Sequence, residues 1–99
     1  MTVIRTIPST PSSARHLVSE AMEYLAFLKE SGYARSVTEF DFRLVLDEAV
    51  ENALRHGNGC DAKKRITVTV RAYKRTAVIT VKDEGAGFYA EDVVDPRAA

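Results

Sequence analysis

The sequence predicts an α+β protein folded as a two-layer sandwich, and three observations predict it. Two amphipathic helical segments follow one another in the first half of the chain. Two alternating segments in the second half read as an antiparallel hairpin with one dry face. The order strand, helix, helix, strand, strand then lets two apolar helix faces cover one apolar sheet face. A length of 99 residues bounds this to a single domain, residues 1–99, with one real hydrophobic core.

Each element has its own local reason. Thr2 to Ile7 reads as a short strand stopped by Pro8, and Ser9 to Ser13 as a turn-rich connector with Ser12 and Ser13 as candidate helix caps. Leu17, Val18, Ala21, Tyr24, Leu25 and Leu28 recur at helical spacing, with Gly32 just past the end as the residue that closes the helix. A second helix opens at Thr38, whose hydroxyl can cap it, with Glu39 and Asp41 favourable in the first turn. Phe42, Leu46, Ala49, Val50 and Ala53 line its apolar face, and Gly57 is expected to stop it. After a polar loop over 58–64, Ile66, Val68, Val70 and Ala72 alternate with Thr67, Thr69, Arg71 and Tyr73. Beyond a turn at Lys74–Thr76, Ala77, Ile79 and Val81 resume the dry face. The tail after Phe88 is acidic and shows no strong periodicity.

Composition excludes several partner classes. Apolar residues make 45% and charged residues 28% of the chain, which is ordinary for a soluble domain. Basic and acidic residues balance at fourteen each, so charge gives no argument for direct nucleic-acid or membrane binding. Lys63, Lys64 and Arg65 form a small loop cluster of the kind that usually meets solvent. No apolar run is long enough to span a bilayer and the first residues lack a signal-peptide pattern, so a cytoplasmic location is expected. The lone Cys60 has no partner for an internal disulfide and no metal-ligand neighbours, which suits a reducing compartment.

The chemistry concentrates in two strings. On the second helix, Glu48, Asn52 and His56 are each four apart, and at about 100° per residue they form one slanting stripe. This stripe is expected along the edge of the apolar face, half out of the core, with Asp47, Glu51 and Arg55 further round towards solvent. A carboxylate there can accept a proton from an attacking hydroxyl, and an amide oxygen can complete the oxygen shell of Mg2+. The plainer alternative is a solvated polar face with ordinary i,i+4 contacts. An Asn in mid-helix weakens that alternative, since Asn costs helix stability and serves better at caps. His56 near the helix end suits the dipole and the last carbonyls.

The second string is Asp83-Glu-Gly85-Ala-Gly87-Phe. Asp83 continues the series Ala77, Ile79, Val81, so alternation aims its carboxylate into the interface between helices and sheet. A buried carboxylate needs hydrogen-bond donors, and the exocyclic amino group of a purine is one such donor. Gly85 and Gly87 can take positive φ and allow close approach of a ligand. The alternative is a simple turn after a strand.

Taken together, Leu46-Asp-Glu-Ala-Val-Glu-Asn-Ala-Leu-Arg-His-Gly57 and Val81-Lys-Asp-Glu-Gly-Ala-Gly-Phe88 resemble the first two nucleotide-binding boxes of the GHKL ATPase superfamily, the Bergerat fold. Within it they are similar to the anti-sigma factor serine kinases of bacterial partner-switching systems. The resemblance implies ATP and Mg2+ as cofactors. It implies Glu48 as the base that activates a substrate serine, and Asn52 as the ligand of the Mg2+ bridging the phosphates. It also implies Asp83 as the acceptor for the adenine amino group, with Gly85 and Gly87 shaping the pocket. The partners implied are an antagonist (STAS-type) protein, which is phosphorylated, and a sigma factor, which is sequestered. The family continues through an ATP lid, a second glycine-rich box, a closing helix and further strands, none of which is legible after Asp95-Pro96. The fold is therefore expected to be C-terminally truncated, with weakened triphosphate binding and an uncovered sheet edge or apolar surface. From this follows the expectation of a homodimer paired through that edge, or of a fragment of a longer protein. Three functional readings stand at this point: a serine kinase, a GHKL-like protein-binding module with weak or no nucleotide turnover, and a plain structural domain.

Overall fold

Among the described residues, seven segments follow in order: β1 (Thr2–Pro8), α1 (Pro11–Glu30), α2 (Glu39–Asn52), a π-helical turn (Ala53–Gly57), β2 (Arg65–Ala72), β3 (Ala77–Asp83) and β4 (Tyr89–Val94). The structure, a computed structural model, describes residues 1–84 and the backbone of 89–94. The four strands form one antiparallel sheet in the order β1-β2-β3-β4. Both helices are inserted between β1 and β2, which nevertheless pair, Val3 opposite Val70 and Ile7 opposite Ile66. The hairpin expected from alternation is present, with Val68 opposite Val81 and Val70 opposite Ile79.

One part of the sequence reading changes here. The tail taken as aperiodic supplies β4, which lies antiparallel to β3 with Lys82 opposite Tyr89 and Ala77 opposite Val94. Pairing to the otherwise free edge of β3 decides this, because an open row of N–H and C=O groups is a template for any adjacent extended segment.

The core is the one that alternation predicts. Ile66, Val68, Val70 and Ala72 of β2 and Ala77, Ile79 and Val81 of β3 are buried. All of these but Ala72 pack with Leu17, Val18 and Leu25 of α1 and with Phe42, Leu46, Ala49 and Val50 of α2. This is the two-layer α+β sandwich.

The helix ends hold those faces in place. The cap of α1 is Thr10, earlier than the expected Ser12 or Ser13: its Oγ1 accepts a hydrogen bond from the Ser13 backbone N–H at 3.2 Å. Pro11 explains the shift, since its fixed φ and missing N–H suit the first helical position. Gly32 ends α1 with φ +87°, where Tyr33 N–H donates to the Leu28 carbonyl (2.9 Å) and Gly32 N–H to that of Lys29 (3.1 Å). Backbone N–H groups of Ala34, Arg35 and Ser36 then donate to the carbonyls of Tyr73, Lys74 and Arg75 at 2.7, 3.0 and 3.0 Å. The connector between the helices is thereby laid along the β2–β3 turn. Lys29 Nζ adds bonds to the carbonyls of Ala34 (3.0 Å) and Val37. Thr38 caps α2 as expected, accepting from Asp41 N–H at 3.1 Å.

Two neighbouring aromatics on α2 test this packing. Phe42 is fully buried, whereas Phe40 is 75% exposed. Phe42→Ala should cost about 3–5 kcal/mol of unfolding free energy and Phe40→Ala less than about 0.5 kcal/mol, read from urea midpoints at constant slope. Equal costs would contradict the assigned face of α2.

Candidate functional site

The outer face of α2 carries the first group of candidate residues. Glu48 and Asn52 are both exposed and, with Asp47 and Glu51, border an open hollow of about 590 Å3. Two details correct the helical-wheel reading. Glu48 and Asn52 are not half-buried, and Asp47 and Glu51 line this hollow as well as a second one further round, which they share with Arg43 and Arg55. The reason is the narrow dry face of α2: only Phe42, Leu46, Ala49 and Val50 are buried in it, so positions 47, 48, 51 and 52 all fall outside.

These four residues are not equivalent. Asp47 lies 3.6 Å from Arg43, and Glu51 accepts a hydrogen bond from Arg55, each one turn away on the helix. The Glu51 bond, reinforced by its charge, pushes the Arg55 pKa up and keeps that guanidinium charged. Among the described residues, Glu48 and Asn52 are engaged in no ion pair or side-chain hydrogen bond.

The α2 helix does not end as an α-helix. Ala53–Gly57 is a π-turn, closed by the Asn58 N–H on the Ala53 carbonyl at 2.9 Å, five residues back. His56 lies within this wider turn and is exposed. The turn also brings Gly57 against the end of β3.

There the second group begins. Asp83 is 2% exposed and stands opposite Ile66 in the ladder, so its carboxylate is turned inward as strand alternation predicts. Gly57 forms one wall of its site. A Cβ placed on Gly57 would come within 2.0 Å of Asp83 Oδ2 and 2.3 Å of its Cγ. Gly57 does not have a positive φ, so its part is to leave room for the carboxylate, not to reverse the chain. Gly85 and Gly87 lie outside the described residues.

Asn58, which sequence reasoning passed over as loop, is a buried hub beside this wall, 3% exposed. Its Nδ2 donates to Ser9 Oγ (2.5 Å) and to the Arg65 carbonyl (2.9 Å), and its Oδ1 accepts from Glu84 N–H (2.8 Å). Arg65 N–H in turn donates to Glu84 Oε2 at 2.5 Å. Asn58, Arg65 and Glu84 thus close a ring of hydrogen bonds that ties the loop, the start of β2 and the end of β3 together. No spacing rule could have found it, because Ser9 and Glu84 are 49 and 26 residues away in sequence.

The structure therefore brings Glu48 and Asn52 to one hollow on α2, and Asp83 to the backbone at the end of the π-turn that follows. This order, an acid and amide on a helix and an inward acid at the end of a later strand, is the one the two sequence strings led to. Residues 7–99 match the histidine kinase-like ATPase domain family, and the chain belongs to that family. Among curated proteins it is similar to the anti-sigma F factors of Clostridium perfringens strains SM101, ATCC 13124 and 13. Each is 33% identical over 79 residues, covering 67% of this chain and 56% of the relative. The chain spans little more than half the length of these curated relatives. Among the described residues, no helix is long and apolar enough to cross a membrane.

Gly57→Ala separates the two readings of that glycine. An Ala replacing a helical Gly without a clash gains up to about 1 kcal/mol. Here the contact with Asp83 should reverse the sign, to a net loss of about 1–3 kcal/mol. In an Asp83→Ala background the same substitution should be neutral or stabilising. A double-mutant cycle of urea midpoints measures this coupling. Stabilisation by Gly57→Ala in the parent chain would refute the close packing of the pair.

Proposed function

We propose that this chain is an ATP-dependent serine protein kinase and anti-sigma factor of a bacterial partner-switching system. It phosphorylates a serine of an antagonist (STAS-type) protein, sequesters a sigma factor and works as a cytoplasmic homodimer. The observation that carries this reading is the inward Asp83 carboxylate packed on Gly57, just past the helix that bears Glu48 and Asn52. This arrangement supports a reading in which Asp83 recognises adenine and Glu48 and Asn52 serve the phosphate side. The anti-sigma F factors support the same reading by similarity.

The residues divide the work by their surroundings. Asp83, in its dry site, accepts a hydrogen bond from the adenine amino group, where the low dielectric makes such a bond strong. Gly85 and Gly87 shape the rest of the base pocket. Beside the α2 hollow, the Asn52 amide offers a hard oxygen donor of the kind Mg2+ takes. No group of three or more His, Cys, Asp or Glu side chains among the described residues forms a cage for a metal. Mg2+ takes one or two protein ligands and keeps waters and phosphates. Asn52 would hold it, and the bound ion would supply charge neutralisation at the phosphates. Glu48 is unpaired with any described cation and exposed to an incoming partner. It takes the proton of the substrate serine hydroxyl as that oxygen attacks the γ-phosphorus and the bond to the ADP leaving group breaks.

A second reading, a GHKL-like protein-binding module with weak or no turnover, is favoured by the openness of the α2 hollow and the exposure of Glu48 and Asn52.

Calorimetric titration with Mg2+-ATP and Mg2+-ADP decides between them. The kinase reading predicts saturable binding that is lost in both Asn52→Ala and Asp83→Asn. Glu48→Ala should keep that binding and lose about 100-fold or more of phosphoryl transfer to the antagonist serine. A parent chain that binds neither nucleotide but still captures a sigma factor would establish the binding-module reading instead.

A further inference from the structure

Alternation decides which face Asp83 points to, but not how firmly its carboxylate is aimed. Asp83 is the last residue of β3, and strand ends fray unless something beyond them is held. The ring of hydrogen bonds around Asn58 supplies that hold. The peptide unit joining Asp83 to Glu84 is planar, so fixing the Glu84 N–H fixes the plane attached to the Asp83 Cα. That N–H donates to Asn58 Oδ1 at 2.8 Å. Asn58 cannot yield easily, because its Nδ2 is committed to Ser9 Oγ and the Arg65 carbonyl, and its backbone N–H closes the π-turn. Glu84 is tied a second time through its side chain to Arg65 N–H. The assignment of Oδ1 and Nδ2 follows from the partners, one a donor and the other a carbonyl. Gly57, next to Asn58 in sequence, lies directly against the carboxylate.

We propose that Asn58 is a positioning residue for Asp83, so that preference for an adenine base depends on this buried amide. At 3% exposure Asn58 acts through Asp83 and not on the ligand. The inference rests on the nucleotide-binding reading above and adds a specificity determinant to it.

The test compares Mg2+-ATP with Mg2+-inosine triphosphate, which has a carbonyl in place of the amino group, by calorimetry on the parent, Asn58→Ala and Glu84→Ala. One charge-assisted hydrogen bond should give the parent a preference for ATP of about tenfold or more. In Asn58→Ala the preference should fall to about threefold or less, chiefly through weaker ATP binding, with inosine triphosphate affinity nearly unchanged. Glu84→Ala opens the ring at its exposed corner and should lose part of the preference. If Asn58→Ala is folded but merely less heat-stable, and retains the full preference, the positioning role is overturned. Should Asn58→Ala not fold, an unchanged preference in Glu84→Ala overturns it equally. A parent chain that binds neither nucleotide refutes the reading beneath, whereas a parent that binds both with equal affinity refutes the role of Asp83.

Discussion

A carboxylate buried at the end of a strand is the constraint around which this fold is arranged. Taking a carboxyl group out of water without compensating hydrogen bonds costs several kcal/mol, a large part of what a small domain has in hand. Asp83 is held in that position by surroundings that leave little freedom. Gly57 stands so close that no side chain fits between, and the peptide beyond Asp83 is pinned to Asn58. The rest follows from meeting those two conditions. Helix α2 has to deliver a glycine to that spot, and the loop after it has to deliver an inward amide.

The π-turn is how both arrive. An α-helix continued to Gly57 would keep the rotation of α2, whereas the five-residue closure from Asn58 to Ala53 widens the last turn. The loop after it passes Gly59 and Cys60, both with positive φ, before β2 begins. This ending divides the site into two environments. Before it, Glu48 and Asn52 stand in water on the outer face of α2; after it, Asp83 stands dry. Hydrated oxygen donors suit a cation and a phosphate tail, while a dry acceptor suits the neutral donor of a base. The two halves of a nucleotide ask for these two environments.

Much of this was legible in the residues, wherever a local period or a local cap decides the outcome. The dry face of β2 and β3, the cap at Thr38 and the turn at Gly32 each depend on neighbours within a few positions. The inward direction of Asp83 was readable for the same reason, since it continues a period of two. What depended on distant partners was not. β4 forms by pairing with β3, against its own acidic composition. Gly57 reads as a helix stop, but its φ is ordinary and its meaning lies in Asp83, far along the chain. Asn58 reads as a loop residue until Ser9 and Glu84 are folded onto it. The wheel for α2 ordered Glu48 and Asn52 correctly and misjudged their exposure, because rotation per residue says nothing about how wide a face the sheet covers.

The central claim is that Asp83, walled by Gly57 and steadied from Asn58, is the group that meets the base. A crystal structure of the chain with Mg2+ and a non-hydrolysable ATP analogue measures this most directly. The account predicts the adenine amino nitrogen within hydrogen-bonding distance of an Asp83 carboxylate oxygen, about 2.7–3.2 Å, with the phosphates directed towards Asn52 and Glu48. A nucleotide bound elsewhere, or an adenine whose amino group points away from Asp83, would contradict it.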